Sequence, residues 1–277
     1  MCTLLIGHQA LGRGTLLVAA NRDEDPSRPS EPPGPLRSAP RVAGGRDVLA
    51  GGTWLAVRER RAVVAVLNRR DLAGAQSGSG AERGAGEPAP ASRRSRGLLA
   101  LETAGVEGAV EDASALADAA LRAARRSLAA FDYAPFALAF LSPVRCWLLT
   151  HEIGAPPRIQ DIAPGWHVLT HADLDDTSEP RTARLVRSLS SFRPRGEDEA
   201  LAGLLRLLSL HDDAGAAGAQ AAPVCIHGGR VVTVSSALVS LAPASTRYLH
   251  LEGRPCEASP ADCAPLLSGA LPVPAAG

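Results

Sequence analysis

Four short β-leaning runs crowd into the first seventy residues, and the turns inside each pair are too short for parallel strands. Residues 2–8 and 15–21 flank "QALGRG", whose two glycines suit a tight reversal. Residues 53–57 and 62–68 flank a charged turn in "GGTWLAVRERRAVVAVLN". A parallel pair needs a crossover of about a dozen residues or more, so each pair reads as an antiparallel hairpin. Residues 25–45, between the hairpins, are dense in Pro, Ser and Gly and read as a loop.

The rest of the chain alternates blocks of helix and strand. Residues 97–104 and 112–130 carry Leu and Ala at helical spacing with arginines on another face. Strands are expected at 136–141, 145–151 and 166–170. "DTSEPRTARLVRSL" reads as a helix start, with Thr177 or Ser178 as N-cap and Glu179 and Pro180 in the first turn. A further helix is expected over 197–210, strands over 224–227, 230–241 and 246–252, and a short terminal helix in "ASPADCAPLL". Two antiparallel sheets with helices on their outer faces use all of these elements. The fold class expected is therefore α+β, a four-layer αββα sandwich. The low-complexity stretch 71–95 is expected to be a mobile loop, and not a domain linker, because the hairpins before it cannot bury a complete core alone. Residues 1–277 thus read as one domain.

Composition removes several function classes. The formal net charge is +0 and all 29 basic residues are arginine, which argues against a nucleic-acid or membrane-surface partner held by bulk charge. No apolar run approaches the roughly 18 residues of a membrane span. The run 3–7 is too short for a signal peptide, so a cytoplasmic location is expected. The five cysteines form no CxxC pair, so neither a disulfide framework nor a structural zinc site is expected. GxGxxG, P-loop, HExxH and GxSxG motifs are all missing, and no cofactor is expected. The partner expected is a small molecule.

Chemistry concentrates near the N-terminus. Cys2 follows the start methionine, and methionine is removed when the next side chain is small. The exposed terminus would join a thiol and an α-amine on one residue, a nucleophile with its own base. "ANRDED" closes the second run beside the start of the first. Arg22 there can stabilise a thiolate or a substrate anion, and Asp23 or Glu24 can hold the α-amine. Asn68 ends the apolar run "AVVAVLN" and offers two amide donors of the kind an oxyanion hole needs. His167 and His171 lie four apart, on one face of a strand, so one of them can serve as base or donor. With Asp173 or Asp175 they would also suggest a metal, but no second cluster supports one and none is expected. Glu24, Trp54 and His167 are candidate substrate contacts. Cys225 and His227 in "VCIHGG" read as a core thiol and a strand-end histidine.

"MCT", "NRDE", "GGTW" and "AVLN", in that order, resemble the NRDE family, whose animal member is transport and Golgi organisation protein 2. "GWHVLTHADLDD" and "TVSSALVSL" fit its later blocks more loosely. That family is similar to N-terminal nucleophile hydrolases of the choloylglycine hydrolase and penicillin V acylase type. The resemblance implies the αββα fold and cleavage of a linear amide bond by Cys2. It also implies Arg22 with Asp23 or Glu24 beside the nucleophile, and Asn68 at the oxyanion position. His171 stands where those acylases carry asparagine, and Val234 stands where the family often carries arginine. The same resemblance admits a second reading, a non-catalytic binding or trafficking protein concerned with secretion, Golgi organisation, lipid or haem.

Overall fold

The computed structural model describes residues 2–69, 93–107, 112–211 and 222–268. The chain begins with six strands, β1 (Thr3–His8), β2 (Leu16–Glu24), β3 (Ser30–Ser38), β4 (Arg41–Asp47), β5 (Leu55–Arg58) and β6 (Ala62–Asn68). Helices α1 (Arg96–Ala104) and α2 (Ala113–Ala130) follow. Then come β7 (Phe136–Leu141), β8 (Cys146–His151), β9 (Arg158–Ile162) and β10 (Gly165–Leu169). Helices α3 (Pro180–Ser190) and α4 (Glu197–Leu208) precede β11 (Val232–Leu241), β12 (Thr246–Glu252) and β13 (Ala261–Asp262).

These strands make two antiparallel sheets, a six-stranded one in the order β10-β1-β2-β11-β12-β13 and a seven-stranded one in the order β3-β4-β5-β6-β7-β8-β9. The period-2 alternation of each strand decides the layers. In the six-stranded sheet, Leu4, Ile6, Leu16 and Val18 point inward and meet Leu55, Val57, Val63, Ala65 and Leu67 of the other sheet. Their sequence neighbours Leu5, Leu17 and Ala19, with Leu238 of β11, point outward, onto Leu185 and Leu189 of α3 and Leu201 and Leu204 of α4. In the seven-stranded sheet, Ala56, Val64, Val66, Leu138 and Phe140 face outward onto Leu99 of α1 and Leu116 and Ala120 of α2. Trp147 closes that layer, stacked on Phe140 at 5.4 Å with its indole N–H donated to the Ala117 carbonyl at 3.0 Å. The architecture is the four-layer αββα sandwich.

The structure differs from the sequence reading in several places. Residues 25–45 are not all loop, because β3 and β4 form a hairpin at the edge of the seven-stranded sheet. Proline is tolerated there because an edge strand can leave its missing N–H on the solvent side. Register shifts between Glu31 and Gly34 and between Pro35 and Arg37 absorb the remaining mismatch. The polar strand β9 forms the other edge, where one-sided pairing needs little apolar patterning. Residues 224–227 form no strand, since Val224 and Cys225 both donate to the Leu210 carbonyl at 2.9 Å. The α3 N-cap is Glu179, whose carboxylate accepts from the Thr182 N–H, with Pro180 opening the helix. The expected terminal helix is a single 3₁₀ turn, Ala264–Leu267. Most of the stretch 71–95 lies outside the described residues.

Candidate active site

Cys2 leads directly into β1, which is flanked on both sides, by β10 and β2. Alternation along β2 then divides the "NRDE" tetrapeptide between two faces. Arg22 and Glu24 line, with Cys2, a cleft of about 600 Å³ at the ends of β2 and β6, beside the start of α1. Asn21 and Asp23 point the other way, toward the helices. The cleft is also lined by Asp47, Trp54, Val66 and Asn68 and by the stretch 93–97 that opens α1. A narrow apolar recess runs behind Cys2 between Leu4, Ala20, Leu55, Ala65 and Leu67.

Each side chain in the cleft is held by its own partners. The Arg22 guanidinium lies 4.2 Å over the Trp54 ring, donates to the Ser30 hydroxyl at 3.0 Å and sits 3.8 Å from Asp47. Burial pulls its pKa down, while Glu24, Cys2 and Asp47 act in the opposite direction. Asp47 accepts from Arg28 at 2.7 Å and from the Ala50 N–H at 2.9 Å. Burial works against its charge, but those bonds hold its carboxyl below the usual range. Asn68, the last residue of β6, is exposed at the cleft. Burial and the Asp23 charge push the Cys2 thiol up, with Arg22 acting against them.

The opposite face of "NRDE" anchors the strand. The Asn21 amide donates to the carbonyls of Leu208 and Val224, both at 3.0 Å, and accepts from Ser236 at 2.7 Å. Asp23 accepts from Arg181 at 2.9 Å and from Thr233 at 2.8 Å, and the same Arg181 nitrogen donates to Thr3 at 3.0 Å. Burial nonetheless pushes the Asp23 carboxyl up, against the Arg181 charge. Asp23 therefore reaches Cys2 by its charge from behind the sheet and does not line the cleft.

The two histidines also lie elsewhere. His167 bonds Asp175 at 2.7 Å and the Ala163 carbonyl at 3.0 Å. His171 is buried near the start of α3, close enough to Glu179 for their charges to interact. The structure thus brings together Cys2, Arg22, Glu24, Trp54 and Asn68, and places Asp23, His167 and His171 outside the cleft lining.

Sequence reasoning overlooked the basic wall formed by "RRSRG". Arg93, Arg94 and Arg96 line the cleft, and the Arg96 guanidinium donates to the Pro135 carbonyl at 3.0 Å. Burial pulls Arg96 down, while Cys2 and Glu24 act in the opposite direction. Gly52 of "GGTW" admits this wall, since a Cβ there would overlap the Gly97 backbone. The Thr53 N–H donates to the Gly97 carbonyl at 3.1 Å and fixes the approach. A run of arginines just before a helix was the available signal, but only the fold shows that it faces Cys2.

A family model described as "Transport and Golgi organisation 2" matches residues 1–234. No curated protein matches the chain in sequence. Among solved structures, a Caenorhabditis elegans ortholog of N-acylethanolamine-hydrolyzing acid amidase is similar, with a TM-score of 0.52 at 13% identity, covering 86% of this chain and 92% of its own. A cysteine-to-alanine mutant of conjugated bile acid hydrolase from Clostridium perfringens gives 0.55 at 10% identity, covering 95% and 92%. An arginine-to-leucine variant of the same hydrolase gives 0.53 at 8% identity, again covering 95% and 92%. At such identities the likeness establishes a shared N-terminal nucleophile hydrolase fold, and fold alone does not carry an activity.

Proposed function

The chain belongs to the transport and Golgi organisation 2 family, and from that premise and the contents of the cleft we propose that it hydrolyses a linear amide bond with Cys2 as nucleophile. The observation that carries this reading is the meeting of Cys2, Arg22 and Asn68 in one cleft, at the end of an inner strand. Removal of Met1 would leave an α-amine on Cys2 to take the thiol proton. Arg22 beside the sulfur favours the thiolate, and the Asp23 charge behind β1 favours the protonated amine. The thiolate adds to the amide carbonyl, and the Asn68 side-chain amide donates to the oxyanion. Collapse gives a thioester, and the α-ammonium proton leaves with the amine. Water then hydrolyses the thioester and restores the thiol. His167 and His171 take no part in these steps.

The cleft also favours a class of substrate. Five arginines line it (Arg22, Arg28, Arg93, Arg94 and Arg96), against two acids, Glu24 and Asp47. Arg28 is neutralised by Asp47, and Arg94 by Glu102. Among the described residues Arg93 and Arg96 have no carboxylate within ion-pair distance, although Arg96 also donates to the Pro135 carbonyl, so an amide carrying a carboxylate or phosphate fits best. A second reading has one observation in its favour: the family description names transport and Golgi organisation, not a reaction. It makes the cleft a binding site for such an anion without turnover. A screen of anionic acyl-amides with the native chain and Cys2→Ser separates the two. Turnover lost in Cys2→Ser supports the hydrolase, whereas anion binding without turnover in both supports the binding protein.

A further inference from the structure

A second cluster of reactive side chains lies on the helix side of the six-stranded sheet, away from the cleft. His211 follows α4, Cys225 and His227 lie in the segment before β11, and Cys256 follows β12. One ligand atom from each of the four falls within 4.8 Å of all the others. The nearest separations are 3.7 Å between the Cys225 and Cys256 sulfurs, 3.2 Å between His227 Nε2 and the Cys256 sulfur, and 3.0 Å between the two Nε2 atoms. A tetrahedral zinc ion with bonds of about 2.3 Å to sulfur and about 2.0–2.1 Å to nitrogen sets the corresponding edges at about 3.8, 3.5 and 3.3 Å. These three spacings follow the same order and fall within about 0.4 Å of it, and the remaining separations stay within 4.8 Å, so a small inward shift of the side chains completes the tetrahedron. A disulfide is a different geometry, since its sulfurs stand about 2.05 Å apart.

The surroundings match a metal centre as well. His227 turns Nε2 toward the cluster and Nδ1 toward Glu257, whose carboxylate lies 3.7 Å away. A carboxylate on the far nitrogen is what orients a ligating imidazole and raises its basicity. The two imidazoles stand nearly perpendicular, at 82° with centroids 4.6 Å apart, and turn their Nε2 atoms toward each other at 3.0 Å. The backbone is braced, because Arg184 of α3 donates to the His211 carbonyl at 2.7 Å and Arg254 to the His227 carbonyl at 3.4 Å. We propose that His211, Cys225, His227 and Cys256 form a structural Cys₂His₂ zinc site. Both thiols lose their protons to solvent on binding, and the two thiolates balance the charge of the divalent ion. Four protein ligands leave no open position, so the site staples three chain segments and does not catalyse. Those segments include the Val224 carbonyl that holds Asn21, so the staple braces the back of the "NRDE" strand. The sequence hid the site because its ligands are spread over 46 positions without a CxxC pair.

The test is elemental analysis of the tag-free full chain, purified under reducing conditions, loaded with zinc and desalted. About one zinc per chain is expected, and cobalt(II) in its place should give a thiolate charge-transfer band with tetrahedral ligand-field absorption. Cys256→Ser and the exposed-site variant His211→Ala should each weaken zinc binding at least about 100-fold with the far-UV spectrum unchanged, and Glu257→Gln about tenfold. Cys263→Ser should bind as the native chain does. A native chain that retains less than about a tenth of an equivalent overturns the proposal. So does a Cys225–Cys256 disulfide in place of metal, or full zinc retention in both Cys256→Ser and His211→Ala.

Discussion

Replacing Arg181 by leucine isolates the buried pair behind the candidate nucleophile. The Arg181 and Asp23 side chains are 7% and 0% exposed and 2.9 Å apart, and the same nitrogen also holds the Thr3 hydroxyl. Arg181→Leu removes the charged donor from the buried Asp23 carboxylate, which keeps its bond from the Thr233 hydroxyl. Breaking a buried pair from one side costs about 3–5 kcal/mol. At about 2–4 °C per kcal/mol for a domain of 150–250 residues, the expected fall in Tm is about 6–20 °C. The companion Arg181→Leu/Asp23→Asn should recover about 2 kcal/mol or more, because the amide carries no charge and still accepts from Thr233. The sign of the pH dependence follows from burial, which already pushes the Asp23 carboxyl up with Arg181 present. Without Arg181 it rises further, so the folded variant binds a proton that the unfolded chain, with a carboxyl near 3.9, releases over most of the window. The deficit against the native chain is therefore largest above the raised folded pKa and shrinks as pH falls through it. Urea unfolding of the three proteins between about pH 8 and pH 5 measures this. A loss under about 1 kcal/mol in Arg181→Leu, or a loss that does not change with pH, would refute the reasoning.

Three other substitutions test the cleft. Gly52→Ala places a Cβ inside the Gly97 backbone, so it should cost about 1–3 kcal/mol by denaturant unfolding and lower turnover by shifting Arg96. Arg96→Leu should raise KM for anionic amides about tenfold or more while leaving KM for neutral amides nearly unchanged, as read from paired substrates. Asn68→Ala should lower kcat about 10²–10³-fold with KM little altered, the signature of a lost oxyanion donor.

The layers were legible because short turns fixed the antiparallel hairpins and the helical blocks had to cover their outer faces, and strand alternation in the structure then assigns each side chain. Leu4 and Ile6 against Leu5, or Val63 and Ala65 against Val64, already name the two faces of an inner strand. The β3 edge was not, because Pro32, Pro33 and Pro35 signal loop wherever both strand faces must be bonded, and only an edge position relaxes that demand. The same alternation shows why Arg22 and Asp23, adjacent in sequence, cannot both enter the cleft. Cys2 and Asn68 could be singled out from sequence because each stands at the end of an apolar strand run, and both line the cleft. Arg96 and Arg181 could not, since each acts across about ninety or more positions of chain, and only the packing of α1 and α3 brings them in. The His211, Cys225, His227 and Cys256 cluster was missed for the same reason: its residues lie in three separate chain segments that only the fold brings together.

The central claim is tested most directly by following alkylation of the tag-free chain by mass while its amide hydrolysis is assayed. Met1 should be absent, and Cys2 should react with iodoacetamide before Cys146 and Cys263, whose thiols burial pushes up to about 12 and about 11. Hydrolysis should fall in proportion to the Cys2 modified. A chain lacking Met1 in which Cys2 reacts no faster than its other cysteines, or in which fully alkylated Cys2 leaves hydrolysis intact, would contradict the assignment of Cys2 as the nucleophile.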